Sequence, residues 1–303
     1  MRGIALTATS EYRSASNARL KAARRLTKRA FRQRERAFLA EGPQAVREAL
    51  AMGAPVTDLF VTAPAQARHD DLVTVAADAG ISVQVVSGEI MSELAQTVTP
   101  QGLLAVCGFV DVPLATVTAP EDGPAPTLVA ILANVRDPGN AGTVLRAADA
   151  VGAGAVVFSD ASVDPYNGKC VRASAGSLFH LPVVALPGGA LPGEAPSAHG
   201  LRLPEAIAEL RRSGLTIIAA DGRSGRTLDD PAARELLRGP TAWLFGNEAW
   251  GLPAELLDLA DSSLAVPIYG QAESLNLATA AAVCLYASAG AQRHGKGSPR
   301  GTI

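Results

Sequence analysis

Three short stretches of the sequence place polar side chains between apolar runs. Residues 134–140, Asn-Val-Arg-Asp-Pro-Gly-Asn, follow an apolar run at 127–133 and precede a helical segment that carries Arg146 in its first turns. Residues 246–248, Gly-Asn-Glu, follow Thr-Ala-Trp-Leu-Phe, and Ser274 and Asn276 stand where an alanine-rich helical segment begins. Amides, a carboxylate, a hydroxyl and a guanidinium gathered in loops could bind a polar ligand and steer a proton. Each stretch also has a simpler reading: Asp137, Asn140 and Ser274 suit turns and helix N-caps. Gly246 permits close approach of the main chain to a ligand, with Glu248 as a fixed charge, or the loop merely caps a helix. Arg146 lies among Val144, Leu145, Ala147 and Ala148, so its head either snorkels to solvent or faces a polar pocket.

Other chemistries lack their residues. The first loop contains neither Gly-x-Gly-x-x-Gly nor Gly-Lys-Ser/Thr, which argues against a dinucleotide fingerprint, a phosphate loop and a nicotinamide oxidoreductase. No Gly-x-Ser-x-Gly elbow occurs, and the four histidines have no i, i+4 partner. Cys107, Cys170 and Cys284 are far apart without a Cys-x-x-Cys, so neither a metal site nor a disulfide framework is expected. A phosphate-binding role and a solvated helix end are both open for the stretch 164–182, which carries Lys169 and Arg172.

These loops must be positioned by larger elements. The 303 residues, 48% hydrophobic, suffice for a sizeable core in one large or two smaller domains. Alternating apolar strand-like runs and helical segments after residue 127 predict a mostly parallel sheet with helices on both faces. In such sheets ligands bind at the carboxyl ends of the strands, where all three polar loops would lie. Before it, short β-rich runs and helices between 58 and 110 predict a small α/β domain. Residues 113–126, rich in proline, read as a linker, and 187–203 read as a surface loop.

Net charge is only −2, but residues 1–50 hold 12 Lys/Arg against 4 Asp/Glu, leaving 15 against 25 in the rest. Such asymmetry points to a polyanionic partner, nucleic acid before membrane because no strong apolar face accompanies it. Residues 17–38 read as a basic helix or helix pair with a thin apolar stripe of Leu20, Ala23, Ala30, Phe31 and Phe38. No signal core and no run of eighteen apolar residues is present, so a cytoplasmic protein is expected.

With the three motifs in order, NVRDPGNAGTVLRAADAVG, LFGNEAWGL and VPIYGQAESLNLATAAAV, the chain resembles the SpoU, or TrmH-like, branch of the SPOUT RNA 2′-O-ribose methyltransferases. The N-terminal stretches SASNARLKAARRL, RERAFLAEGPQAVREAL and TPQGLLAV resemble the substrate-binding domain that precedes the catalytic domain in many of these enzymes. The resemblance implies an α/β fold with a C-terminal trefoil-knotted, mostly parallel sheet, preceded by a small α/β RNA-binding domain. The expected division is 1–112 for RNA binding, 113–126 linker, 127–293 methyltransferase and 294–303 flexible tail.

It also implies S-adenosylmethionine as methyl donor, held by main-chain groups at Gly246, Val266 and Leu275. Val266 stands where isoleucine is common. Arg146, Asn140, Glu248, Ser274 and Asn276 align with the family's active-site residues. The basic residues Lys21, Arg24, Arg25 and Lys28 would contact RNA, as would Arg172, which would reach a partner's site in a homodimer. Large-subunit rRNA is the expected substrate, in a housekeeping or an antibiotic-resistance role. The alternatives are a tRNA 2′-O-methyltransferase and a non-catalytic RNA- or ribosome-binding protein with the same fold.

Overall fold

The computed structural model describes residues 18–121, 123–187 and 202–293; the first residues of the basic stretch, most of the loop at 187–203 and the tail 294–303 lie outside them. The chain forms two compact units. One comprises residues up to Val110 together with Tyr166–His180, and the other Asp111–Pro165 with Leu181 onward.

The first unit holds a four-stranded sheet of β1 (Ala37–Glu41), β2 (Val56–Thr62), β3 (Ser82–Val86) and β4 (Leu103–Gly108), in the order β1-β4-β2-β3. The pairs with β4 are antiparallel, and β2 pairs with β3 in parallel. The basic stretch becomes two helices, Ala18–Arg25 and Arg29–Glu35. Leu20 and Ala23 are buried as expected, but Ala30 is exposed, and Phe38 belongs to β1. The break is at Arg36, whose φ of 48° stops the helix and lets the chain turn into the strand. Arg32, 3% exposed, braces the turn between the helices by donating to the carbonyls of Leu26 (2.9 Å) and Thr27 (3.0 Å).

Residues 166–180, expected within the methyltransferase domain, pack in this first unit for an aromatic reason. The Tyr166 ring stacks on Phe109 at 3.8 Å and lies 4.7 Å from Phe38, while its hydroxyl accepts from the Val110 N–H at 2.9 Å. Phe179 closes the same cluster, with its ring 6.1 Å from Phe38.

The second unit holds six strands, β5 (Leu128–Leu132), β6 (Ala155–Phe158), β7 (Val183–Ala185), β8 (Thr216–Ala220), β9 (Thr241–Phe245) and β10 (Ser262–Leu264). They run in the order β10-β8-β9-β5-β6-β7, and every neighbouring pair is parallel. Every residue of β5, β6 and β9 is buried, as a sheet covered on both faces requires. One face, with Val129, Ile131, Val157, Ile217 and Leu244, packs on the helix Leu203–Arg212. Leu114 and Val117 join that core from the short helix Leu114–Thr118, which forms within the stretch read from sequence as a linker.

The helices Pro138–Ala150 and Leu277–Arg293 pack on each other and against the opposite face. Trp243, fully buried there, donates its indole N–H to Ser288 Oγ at 2.8 Å, tying β9 to the last helix. Among the described residues no helix is long and apolar enough to cross a membrane.

Candidate active site

Because all six strands are parallel, the loops after β5, β9 and β10 leave the same edge of the sheet. The loop after β5 rests on a buried polar floor. Ser159 Oγ accepts from the Asn134 N–H and Ser162 Oγ from the Val135 N–H, both at 3.1 Å, and Ser162 donates to the Leu132 carbonyl at 2.8 Å. Asn247, 6% exposed, donates to the Asn134 carbonyl at 2.8 Å. These bonds hold Asn134 at a φ of 60°, a left-handed conformation that asparagine adopts more readily than most residues. Asp137 then caps the helix Pro138–Ala150 by accepting from the Asn140 N–H at 2.8 Å, with Pro138 next to it.

Glu248 clasps this turn from the β9 loop. Its Oε2 accepts from the Arg136 N–H at 3.3 Å, and its Oε1 accepts from the Asp137 N–H at 3.2 Å and from Asn140 Nδ2 at 3.1 Å. From the β10 side, Asn276 Nδ2 donates to Asn140 Oδ1 at 3.0 Å. Asn276 Oδ1 accepts from the N–H groups of Ala278 (2.9 Å) and Thr279 (3.3 Å), so Asn276, not Ser274, caps the last helix. The polarity of this chain is fixed at both ends, since main-chain N–H groups can only donate and a carboxylate only accept. Both asparagine amides are thereby oriented, and each keeps one N–H for a ligand.

Other expected residues lie outside this chain of bonds. Arg146 is exposed and makes no hydrogen bond or ion pair with a described residue. Six residues beyond Asn140, its Cα lies about 120° away around the helix, and its guanidinium takes no part in the hydrogen bonds that join the amides and the carboxylate. Ser274 is also exposed and makes no hydrogen bond with them. Gly246 is needed for internal packing: a Cβ there would lie 2.4 Å from the Gly251 carbonyl carbon. The loop is closed by two mutual main-chain hydrogen bonds between Asn247 and Gly251, each 2.9 Å.

Val266 is half-buried, while Ile268 and Leu275 are exposed at 39% and 36%. Among the described residues, main-chain groups of 266–275 form no main-chain hydrogen bonds with one another or elsewhere. Apolar side chains beside a run of free amide donors and acceptors suit an adenine ring and its edge, so this segment fits S-adenosylmethionine.

In the first unit, Lys21, Arg25 and Lys28 are exposed, with the Arg25 guanidinium 5.6 Å from the centre of the Phe31 ring. Arg24 is paired with Glu93. Arg172 is engaged by the buried carboxylate of Glu41 at 2.9 Å, which holds it inside its own unit. Burial pushes the thiols of Cys107 and Cys284 up to about 12, and Cys170 is also buried. Sequence reasoning missed Ser159, Ser162 and the structural role of Asn247; the hydroxyls directly after the fully apolar β6 were the available signal.

The sequence profile of the SpoU rRNA Methylase family matches residues 127–191 and 193–286, and that of the MRM3-like substrate binding domain matches 17–105. The 23S rRNA (guanosine(2553)-2′-O)-methyltransferase RlmP of Bacillus subtilis is 33% identical over 276 residues, covering 91% of this chain and 98% of the relative. An AdoMet-bound rRNA methyltransferase from Sinorhizobium meliloti superposes with a TM-score of 0.76 at 28% identity, covering 96% of this chain and 99% of the other. The SpoU methyltransferase AviRb from Streptomyces viridochromogenes, in complex with AdoMet, gives 0.73 at 26% identity, with 93% and 100% covered. With two motif loops joined through Asn140 and a profile matching more than half its length, the chain belongs to the SpoU rRNA methylase family.

Proposed function

We propose that the protein is an S-adenosylmethionine-dependent 2′-O-ribose methyltransferase of 23S rRNA that works as a cytoplasmic homodimer. The observation that carries this reading is the oriented chain Asn276–Asn140–Glu248, which joins the three loops at the sheet's carboxyl edge. Gly246, Val266 and Leu275 hold the methyl donor, and the 246–252 and 266–276 loops form the family's trefoil knot around it. When bound, S-adenosylmethionine supplies an electrophilic methyl group.

A ribose hydroxyl is a weak nucleophile, so the protein's main task is aim; orientation can lower such a barrier by up to about 7–11 kcal/mol. The free N–H groups of Asn140 and Asn276 hold the ribose, and Glu248 keeps Asn140 from rotating. Arg146 clamps the adjoining phosphodiester and stabilises charge that develops on the 2′-oxygen. A guanidinium does not give up its proton in proteins, so the hydroxyl proton passes to the substrate phosphate or to water.

The exposed cations of the two N-terminal helices grip RNA backbone, an interaction sensitive to salt and indifferent to sequence. Val283 and Tyr286, exposed at 39% and 57% on the last helix, form part of the dimer face. The test is methyl transfer from labelled S-adenosylmethionine to unmodified 23S rRNA. Arg146→Ala should abolish transfer and leave calorimetric binding of the donor near wild type. Absence of transfer by the folded wild-type protein on any rRNA would overturn the reading.

A further inference from the structure

The loop after β9 carries a large side chain that takes no part in the amide–carboxylate chain. Trp250 is 56% exposed, and it makes no hydrogen bond or ring contact with a described residue. An indole combines a broad apolar face with a polar N–H, a pairing enriched where proteins meet their ligands. The loop presents it rigidly. The paired hydrogen bonds of Asn247 and Gly251 close the turn, Gly251 adopts a φ of +73°, and the absence of a side chain at Gly246 lets the two ends meet. Two residues before Trp250, Glu248 is bonded to the loop that holds Asn140 and Arg136, and the Arg136 side chain is exposed.

We infer that Trp250 is a substrate-binding residue that stacks on a nucleobase of the RNA next to the methylated ribose. This rests on the methyltransferase reading above. A ribose aimed at a methyl group must be restrained through its neighbours, and an aromatic face restrains any base without reading its identity. The exposed Arg136, whose main-chain N–H is bonded to Glu248, suits a phosphate of the same strand. Tyr269, the other strongly exposed aromatic of these loops, has its hydroxyl engaged by Asp229. Trp250 is the platform whose polar atom and ring are both unengaged.

The chain has two tryptophans, and Trp243 is fully buried, so quenching of emission by a ligand reports on Trp250. The full-length protein is titrated with unmodified 23S rRNA, excited at the red edge of indole absorption, and in parallel with S-adenosylmethionine alone and by serial dilution. Quenching by RNA, absent in Trp250→Phe, is the expected result. In steady-state methyl transfer, Trp250→Ala should raise KM for RNA about tenfold or more with kcat and KM for the methyl donor little changed, within the about 5- to 150-fold range of one lost stack. Trp250→Phe should recover most of the loss.

Unchanged KM in Trp250→Ala, or no quenching by RNA, overturns the inference while wild-type methyl transfer leaves the enzymatic reading standing. Quenching by S-adenosylmethionine alone, or an emission change on dilution, overturns it in favour of the methyl donor or a second copy of the chain. If wild type transfers no methyl group, the enzymatic reading fails and the titration alone decides the stacking.

Discussion

Replacing Glu248 with alanine removes one acceptor from three donors, the N–H groups of Arg136 and Asp137 and the side-chain amide of Asn140. The carboxylate is exposed, so each bond is worth about 0.5–1 kcal/mol net. Losing all three costs about 1.5–3 kcal/mol, a fall in Tm of about 2–5 °C for a chain of this size. Glutamine keeps one carbonyl oxygen. Placed where Oε1 stands, it still serves Asp137 and Asn140, but its amide nitrogen then meets the Arg136 N–H donor to donor, so about 1 kcal/mol is lost. Thermal unfolding followed by circular dichroism reads these differences. Methyl transfer should fall about a hundredfold in Glu248→Ala, where Asn140 is free to rotate and misplace the ribose, and by less in Glu248→Gln. An alanine variant that melts with wild type and transfers at the wild-type rate would refute the idea that this carboxylate orders the loop.

Three further outcomes follow from the same geometry. Asn276→Asp keeps the oxygen that accepts from Ala278 and Thr279 but puts a second carboxylate oxygen in place of Nδ2, facing Asn140 Oδ1; it should melt near wild type and lose transfer, whereas Asn276→Ala should cost about 1 kcal/mol as well, and an active aspartate variant contradicts this. Burial raises the thiols of Cys107 and Cys284 from 9.0 to about 12. The folded state therefore keeps protons that the unfolded chain releases, so this contribution is intact below about pH 9 and lost as pH rises toward 12. A thiol reagent near neutral pH should react only after unfolding, and the fall in urea midpoint above about pH 9 should be shallower in Cys284→Ala; rapid reaction of the native protein contradicts it. Replacing Lys21, Arg25 and Lys28 together should reduce the slope of log affinity for RNA against log salt by about 2, at roughly 0.7 for each phosphate no longer neutralised, and an unchanged slope would show that these cations face elsewhere.

Much of the second unit was legible because parallel strands buried on both faces read as unbroken apolar runs, and because polar loops between them stand out. The first unit was harder. RERAFLAE continues the charged helical pattern without glycine or proline, so nothing local announces the turn at Arg36 or the start of β1. Strand β7 is three residues long and follows Pro182, too short for a periodic signal. The departure of 166–180 to the first unit depends on Tyr166 meeting Phe38 and Phe109, a long-range packing that no window of sequence contains. At the site, residue types pointed to Asn140, Glu248 and Asn276, but capping rules suit Ser274 and Asn276 about equally. The bonds from the Ala278 and Thr279 N–H groups to Asn276, and its reach to Asn140, separate them. Arg172, a cation read as a ligand for RNA, also bonds the buried carboxylate of Glu41, a partner far away in sequence that no local pattern announces.

The destination of the methyl group decides whether this site is a ribose methyltransferase. After incubation of the full-length protein with S-adenosylmethionine and unmodified 23S rRNA, limited alkaline hydrolysis reads each linkage, because cleavage requires a free 2′-hydroxyl. One linkage newly protected from alkali by wild type, and left cleavable by Asn140→Ala and Arg146→Ala, is the predicted result. Methyl incorporation with every linkage still cleavable would place the group on a base and contradict the reading of this site.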